Sequence, residues 1–313
     1  MIRFTVKRLI SGIILLACVA TGTFFLAHLV IGDPSLSLLG NSASKAQQAA
    51  FAHKIGVDQP ILVQFWDWAK HAVTGDFGVS WRNFQSVGSQ IAIKLPVTLS
   101  VVAFGTVLAG VFGGILGVIS GLKPGTVIDR IVKFSSVILF ALPGFWVALI
   151  LVLWFAVDLS WFPAVGYVQP SASFVGWLQS ITLPAVSLAL AAIVMVAEQL
   201  RNAIIATNNQ DFVRTLRSRG LTQARVVLHL VRNAAPASLT VLALMFVGLL
   251  SGAIVVEQIF SLPGIGLETN GASQAGDIPI LLGITVITIV FVVLVNFFLD
   301  LILGWINPKA RVQ

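Results

Sequence analysis

Charge is what this sequence has least of. Of its 313 residues only 10% are Asp, Glu, Lys or Arg, against roughly a quarter in soluble globular domains. Hydrophobic residues make up 57%, and the mean hydropathy is +0.97. A water-soluble core cannot absorb that much apolar surface. Leu, Ile, Val and Phe recur in blocks of about twenty without alternation, which points to helical spans and away from a barrel of transmembrane strands. Cysteine is nearly absent too. Cys18 stands alone inside the first apolar run, so an internal disulfide is excluded and nothing follows about redox compartment. The phosphate-binding pattern GxxxxGK[ST] is missing, and His28, His53, His71 and His229 are scattered along the chain, which leaves no nucleotide loop and no His/Cys metal cluster. With no nucleophile and base pair either, the chain is expected to hydrolyse nothing and to hold no cofactor.

The net charge of +7 would suggest nucleic acid in a soluble protein, but the basic residues sit in short segments between apolar runs. Membrane orientation accounts for them better. The first run, 9–31, spans about 34 Å as a helix and follows a short basic stretch, 1–8, ending in Lys7-Arg8. Leu15-Leu16-Ala17-Cys18 faintly resembles a lipoprotein cleavage box, but the run continues to Ile31. An uncleaved first span is expected, with cleavage as the alternative. Five further spans follow at 96–121, 134–157 (interrupted by Pro143-Gly144), 181–197, 237–259 and 280–304.

With the N-terminus inside, the cytoplasmic segments hold Arg3, Lys7, Arg8, Lys123, Arg130, Lys133, six arginines from Arg201 to Arg232, Lys309 and Arg311, which is 14 of the 19 basic residues. The other five, Lys45, Lys54, Lys70, Arg82 and Lys94, share the segment 32–95. Both termini, including the tail 305–313, are therefore expected in the cytoplasm, and 32–95 outside. That outer segment carries Ile55, Val57, Ile61, Leu62, Phe65, Trp66 and Trp68, which reads as one amphipathic helix after Asp58-Gln59-Pro60. An interfacial aromatic belt and a substrate-side role both fit Trp66, Trp68 and Trp81.

In the second span the pairs Gly110/Gly114, Gly113/Gly117 and Gly117/Gly121 predict a tight helix contact. Ionisable residues near the membrane are few: Glu198, Glu257, Asp300 and His28, all towards span ends. A mid-membrane proton relay is thus poorly supported.

The segment 202–235 is far longer than a plain connection needs. Its centre reads as helix, turn, helix about Gly220, with Phe212 and Leu216 at i,i+4 and Val227 beyond the glycine. Arg214, Arg217, Arg219 and Arg225 surround it. A surface that docks a protein and an amphipathic helix lying on anionic lipid are the two readings.

Asp211, Phe212, Arg214, Thr215, Arg217, Gly220, Leu221, Arg225, Arg232, Asn233 and Pro236 resemble the cytoplasmic signature loop of ATP-binding-cassette importer permeases. Leu216 stands where that family has alanine. Seven further motifs resemble the first permease subunit of dipeptide, oligopeptide and nickel importers. They begin with Gly32-Asp33-Pro34, a stretch from Gly56 to Phe65, Gly75-Asp76-Phe77-Gly78 and Leu95-Pro96 with Thr98-Leu99. Ala141 to Trp146 with Trp161 to Tyr167 follows, then Val256 to Gly266, and the series ends with Asn296 to Asp300 before Asn307-Pro308. The resemblance implies an all-α, six-helix permease bundle of the type I importer kind (96–304 with the first helix 9–31) in a bacterial inner membrane. Its coupling helix would comprise Phe212, Arg214, Leu216, Arg217, Gly220 and Leu221. It also implies a second homologous permease subunit, two cytoplasmic ATPases that bind ATP and Mg, and an extracytoplasmic binding protein. Dipeptides or oligopeptides would be carried, with a nickel chelate, glutathione or an opine-like solute as alternatives. A proton-coupled secondary transporter and a structural membrane subunit are the readings of a different class.

Overall fold

The structure, a computed structural model, describes residues 2–32, 34–40 and 43–306. Asp33, Asn307, Pro308, Lys309 and Arg311 lie outside the described residues, as do the side chains of Arg3, Lys7 and Asp300. Twelve α-helices occur among the described residues: α1 Ile2–Ile31, α2 Pro34–Leu39, α3 Lys45–Ile55, α4 Ile61–Val73, α5 Val87–Leu122, α6 Val127–Ala141, α7 Gly144–Leu151, α8 Phe174–Asn208, α9 Asp211–Ser218, α10 Gln223–Ile259, α11 Ile265–Ala275 and α12 Ile278–Ile306. A π-helix, Val152–Asp158, continues α7. The fold is all-α, with a single isolated bridge between Val79 and Ser86.

Five helices, α1, α5, α8, α10 and α12, are long and apolar enough to cross a bilayer, and α6 with α7 makes a sixth candidate bent by 106°. The bend follows from Pro143. The residue before a proline is driven out of the helical region, and Leu142 is accordingly extended, with ψ 127°. Pro143 then starts α7 at φ −61°. Three other prolines do not break their helices. Pro96, Pro184 and Pro236 lie inside α5, α8 and α10, as apolar helices tolerate where neighbours re-satisfy the freed carbonyls.

The chain forms two compact units, one of residues 99–262 with the described part of 294–313, the other of 2–98 with 263–293. In the first, α5 lies on α8 with almost nothing between the backbones. A Cβ on Gly113 would stand 2.7 Å from the Ile193 carbonyl oxygen, one on Gly117 2.8 Å from that of Ala197, and one on Gly121 3.1 Å from that of Arg201. Residue numbers rise together on both helices, so the two run parallel. Of the expected glycine pairs, 113/117 and 117/121 make this contact, whereas Gly110 faces Leu242 of α10 and Gly114 has nothing within 4 Å.

In the second unit, segment 32–86 holds three helices where one was expected. α3 was missed because its sequence is polar and lacks periodicity; it is specified instead by its ends. Ser44 and Gln47 form a reciprocal capping box, and Gly56 closes the helix at φ +78°. α4 turns Phe65 and Trp68 towards Phe24 of α1 and Ile278 and Leu282 of α12, with Trp81 beside them. Trp68 and Trp81 therefore serve a small core, and only Trp66, 62% exposed, is free for an interface. Buried Asp277 accepts hydrogen bonds from Ser80 Oγ (2.5 Å) and the Trp81 amide (3.1 Å). Lys94 pairs with Glu268, and Thr98 Oγ1 accepts from the Ile265 amide at 2.9 Å, which together fasten α11 to α5.

The contrast between two neighbouring glycines is testable. Gly117→Val should cost about 1–3 kcal/mol through overpacking and lower the thermal midpoint of detergent-solubilised protein followed by tryptophan fluorescence. Gly114→Ala, which meets open space, should leave the midpoint unchanged or slightly higher.

Candidate coupling site

The stretch 202–235 is not a free-standing segment. Its first part is the end of α8 and its last part the start of α10, so only 209–222 connects the two helices, and α9 occupies most of that connection. Asp211 lies in the first turn of α9 and Arg217 in the last, each complementing the helix dipole. Gly220 at φ +73° ends the helix. The Leu221 amide reaches back to the Leu216 carbonyl and the Gly220 amide to that of Arg217 (3.3 and 3.0 Å), the two bonds of a Schellman closure, which also brings Leu216 and Leu221 to the same apolar cluster.

That cluster is built on Val213, Val226 and Leu230, all at most 1% exposed, with Leu122 at the end of α5 packed against it. Phe212, Leu216 and Leu221 are half-buried on it and are only partly available as knobs for a partner. The outward face consists of Asp211, Arg214, Thr215, Arg217, Ser218, Arg219 and Gly220, all exposed. Arg214 keeps 79% of its side chain in solvent beside Asp211, 3.8 Å away. Arg217 donates from Nη2 to Asn208 Oδ1 at 2.7 Å, which ties α9 to the end of α8.

Two features escaped the sequence reading. Val213 is the anchor of α9, although the i,i+4 pair Phe212/Leu216 drew attention first; the i,i+3 spacing of Val213 to Leu216 was the available signal. Arg201, counted among the orienting basic residues, is buried and bound to buried Asp129 of α6. Glu198 is half-buried and Glu257 fully buried. His28 directs Nδ1 at the Phe24 carbonyl of its own helix, 2.8 Å away. Among the described residues, no three His, Cys, Asp or Glu side chains are grouped to hold a metal.

Comparison with known proteins decides the class. The family model described as "binding-protein-dependent transport system inner membrane component" matches residues 113–312, and the corresponding N-terminal model matches 1–102. The chain belongs to this permease family. A putative peptide transport system permease of Brucella abortus (strain 2308) is 34% identical over 306 residues, covering 97% of this chain and 98% of its relative. The di/tripeptide transport system permease DppB of Pseudomonas aeruginosa (strain UCBPP-PA14) is 33% identical, covering 93% of each chain. The oligopeptide transport system permease AppB of Bacillus subtilis (strain 168) is 32% identical, covering 99% of this chain and all of the relative. This permease is thus a membrane-spanning subunit of an ABC-type importer, a transport component of a multi-subunit inner-membrane system and not a catalyst.

The Schellman turn makes a local prediction. A β-branched residue resists the left-handed region by about 1–2 kcal/mol, whereas Asn visits it readily. In detergent-solubilised permease, Gly220→Val should be cleaved by trypsin after Arg217 and Arg219 several-fold faster than wild type, and Gly220→Asn at close to the wild-type rate.

Proposed function

We propose that this permease is one of two homologous membrane halves of an ATP-driven importer of dipeptides or oligopeptides, and that α9 is the element through which the ATPases move it. The observation that carries the coupling role is the division of α9 into two faces. Val213 seats the helix on its own subunit, and a row of exposed arginines and the Gly220 turn point away. An amphipathic helix resting on lipid would turn its apolar face outward, whereas here that face is largely consumed within the chain.

The preponderance of Lys and Arg in alternate connections supports cytoplasmic termini, and so a cytoplasmic α9. Segment 32–86 then faces outside, where a binding protein would deliver substrate. ATP and Mg would be held by two separate ATPase subunits. Moving a two-state bundle from 1:99 to 99:1 needs about 5.5 kcal/mol of preferential binding to one state, which nucleotide-bound ATPases would supply through α9 and its polar support Arg217. Peptide as the cargo rests on the names of the three relatives above. A nickel chelate, glutathione or an opine would also pass the apolar, nearly uncharged spans.

Arg214 offers the cleanest test because it contributes little to the fold. In the complex of both permeases, the ATPases and the binding protein, Arg214→Glu should lower the recovery of ATPase with the membrane subunits at least tenfold and abolish ATP-dependent peptide uptake into proteoliposomes. Full recovery and uptake would remove α9 from the coupling role. Wild-type uptake driven by a proton gradient without ATP would contradict the importer mechanism.

A further inference from the structure

Asp129, the third residue of α6, is 1% exposed, and its carboxylate is saturated. Oδ1 accepts from Arg201 Nε and from Ser120 Oγ at 2.8 Å. Oδ2 accepts from Arg201 Nη2 at 3.1 Å and from the Gly125 amide at 2.8 Å, with Lys133 Nζ 3.5 Å away. Arg201, 9% exposed, spends its remaining Nη1 on Asn202 Oδ1 at 2.8 Å. Ser120 is on α5, Gly125 in the turn after it, Asp129 on α6 and Arg201 on α8. A single carboxylate therefore binds three helices at one level.

This cluster adjoins the anchorage of α9. One residue after Ser120, Gly121 packs on the backbone of Arg201, and the next residue, Leu122, belongs to the cluster that seats Val213. Asn208, which receives Arg217, lies two turns beyond Arg201 on the same helix. A buried ion pair is a poor source of net stability, since apolar residues of similar volume hold helices together at least as well. What a bidentate arginine and carboxylate add is direction: two parallel hydrogen bonds fix both separation and angle.

We propose that the Asp129–Arg201 pair is a positioning element of coupling, which locks α6 to α8 so that a displacement of α9 reaches α6 and its bent continuation α7. Without it, the displacement would be absorbed at the end of α8. The inference rests on α9 being the ATPase dock, and its test separates the two.

The experiment uses the complete transporter in proteoliposomes. Cys18, the sole cysteine, is replaced (Cys18→Ala), and Ser218→Cys, a near-isosteric change at an exposed position of α9, provides a cross-linking handle to the ATPase. Peptide imported per ATP hydrolysed is measured at equal amounts of assembled complex. The double variant Asp129→Asn/Arg201→Met removes both charges of the pair, keeps an acceptor for the Gly125 amide, and offers its Nδ2 to the Ser120 hydroxyl, which can accept. It should retain the cross-link but lower the ratio at least about fivefold, the lower end of ordinary coupling energies. Arg201→Lys, which keeps the charge but forfeits the fork, should fall in between. A retained cross-link with an unchanged ratio in both variants overturns the positioning role and leaves the docking role standing. No cross-link in the otherwise unaltered transporter overturns the docking role, and the positioning role with it. Loss of assembly in both variants assigns the pair to folding alone.

Discussion

The parallel contact of α5 on α8 sets the terms for everything else in the unit that contains it. Lipid supplies no hydrophobic force between helices, so their association depends on how closely backbones approach and on what polar groups they trap. Three glycines at four-residue intervals let α5 reach the carbonyls of α8. The same register brings Ser120 and Gly125 to the level of Arg201, so the buried carboxylate of Asp129 can collect donors from both helices. It also leaves Leu122 where it completes the seat of α9. A side chain at 117 or 121 would therefore disturb packing, the ion pair and the seat of α9 together, because all three depend on one interhelical distance.

The length of the helices is the second determinant. α8 and α10 have 35 and 37 residues, about 52 and 55 Å at the helical rise, against a hydrocarbon thickness of about 30 Å. The excess is not slack. Helices of that length can extend beyond the hydrocarbon, and the short connection 209–222 holds α9 at their joint end. A force on α9 thus acts on helix ends and not on a flexible loop. The Schellman closure at Gly220 serves the same purpose, since it satisfies the Leu216 and Arg217 carbonyls of α9 within the chain.

Much of this was legible in the sequence because it depends on local rules. Run length located the spans; Gly113, Gly117 and Gly121 announced a close contact; Gly220 announced a left-handed turn. The errors share one cause, partners distant in the chain. Nothing near Arg201 reveals that Asp129 waits 72 residues earlier, so it read as an orienting charge. Nothing near Trp68 says that Phe24 covers it. Helix ends differ from run ends for another reason. The fourth apolar run ended at 197 before Glu198, and the fifth began at 237 after Pro236, but a helix does not stop where hydrophobicity does, and α8 runs on to Asn208 while α10 starts at Gln223. It stops where its hydrogen bonds are capped, and between Arg201 and Asn208 nothing competes for them.

The scarcity of charge in the spans bears on selectivity as well. A path without fixed charges cannot distinguish one zwitterionic solute from another by ion pairing, and a buried charge would be costly wherever it lacked a partner. Two ion pairs among the described residues hold helices together: Asp129 with Arg201 in one unit, Lys94 with Glu268 in the other. In Asp129 all four lone-pair sites are taken, so it has no acceptor to spare for cargo. On the proposed reading, recognition falls to a binding protein outside this chain, and the buried charge of Asp129 and Arg201 is devoted to geometry. In a protein that must change shape on each cycle yet return to the same two shapes, a bidentate pair is worth its desolvation because it permits few intermediate arrangements.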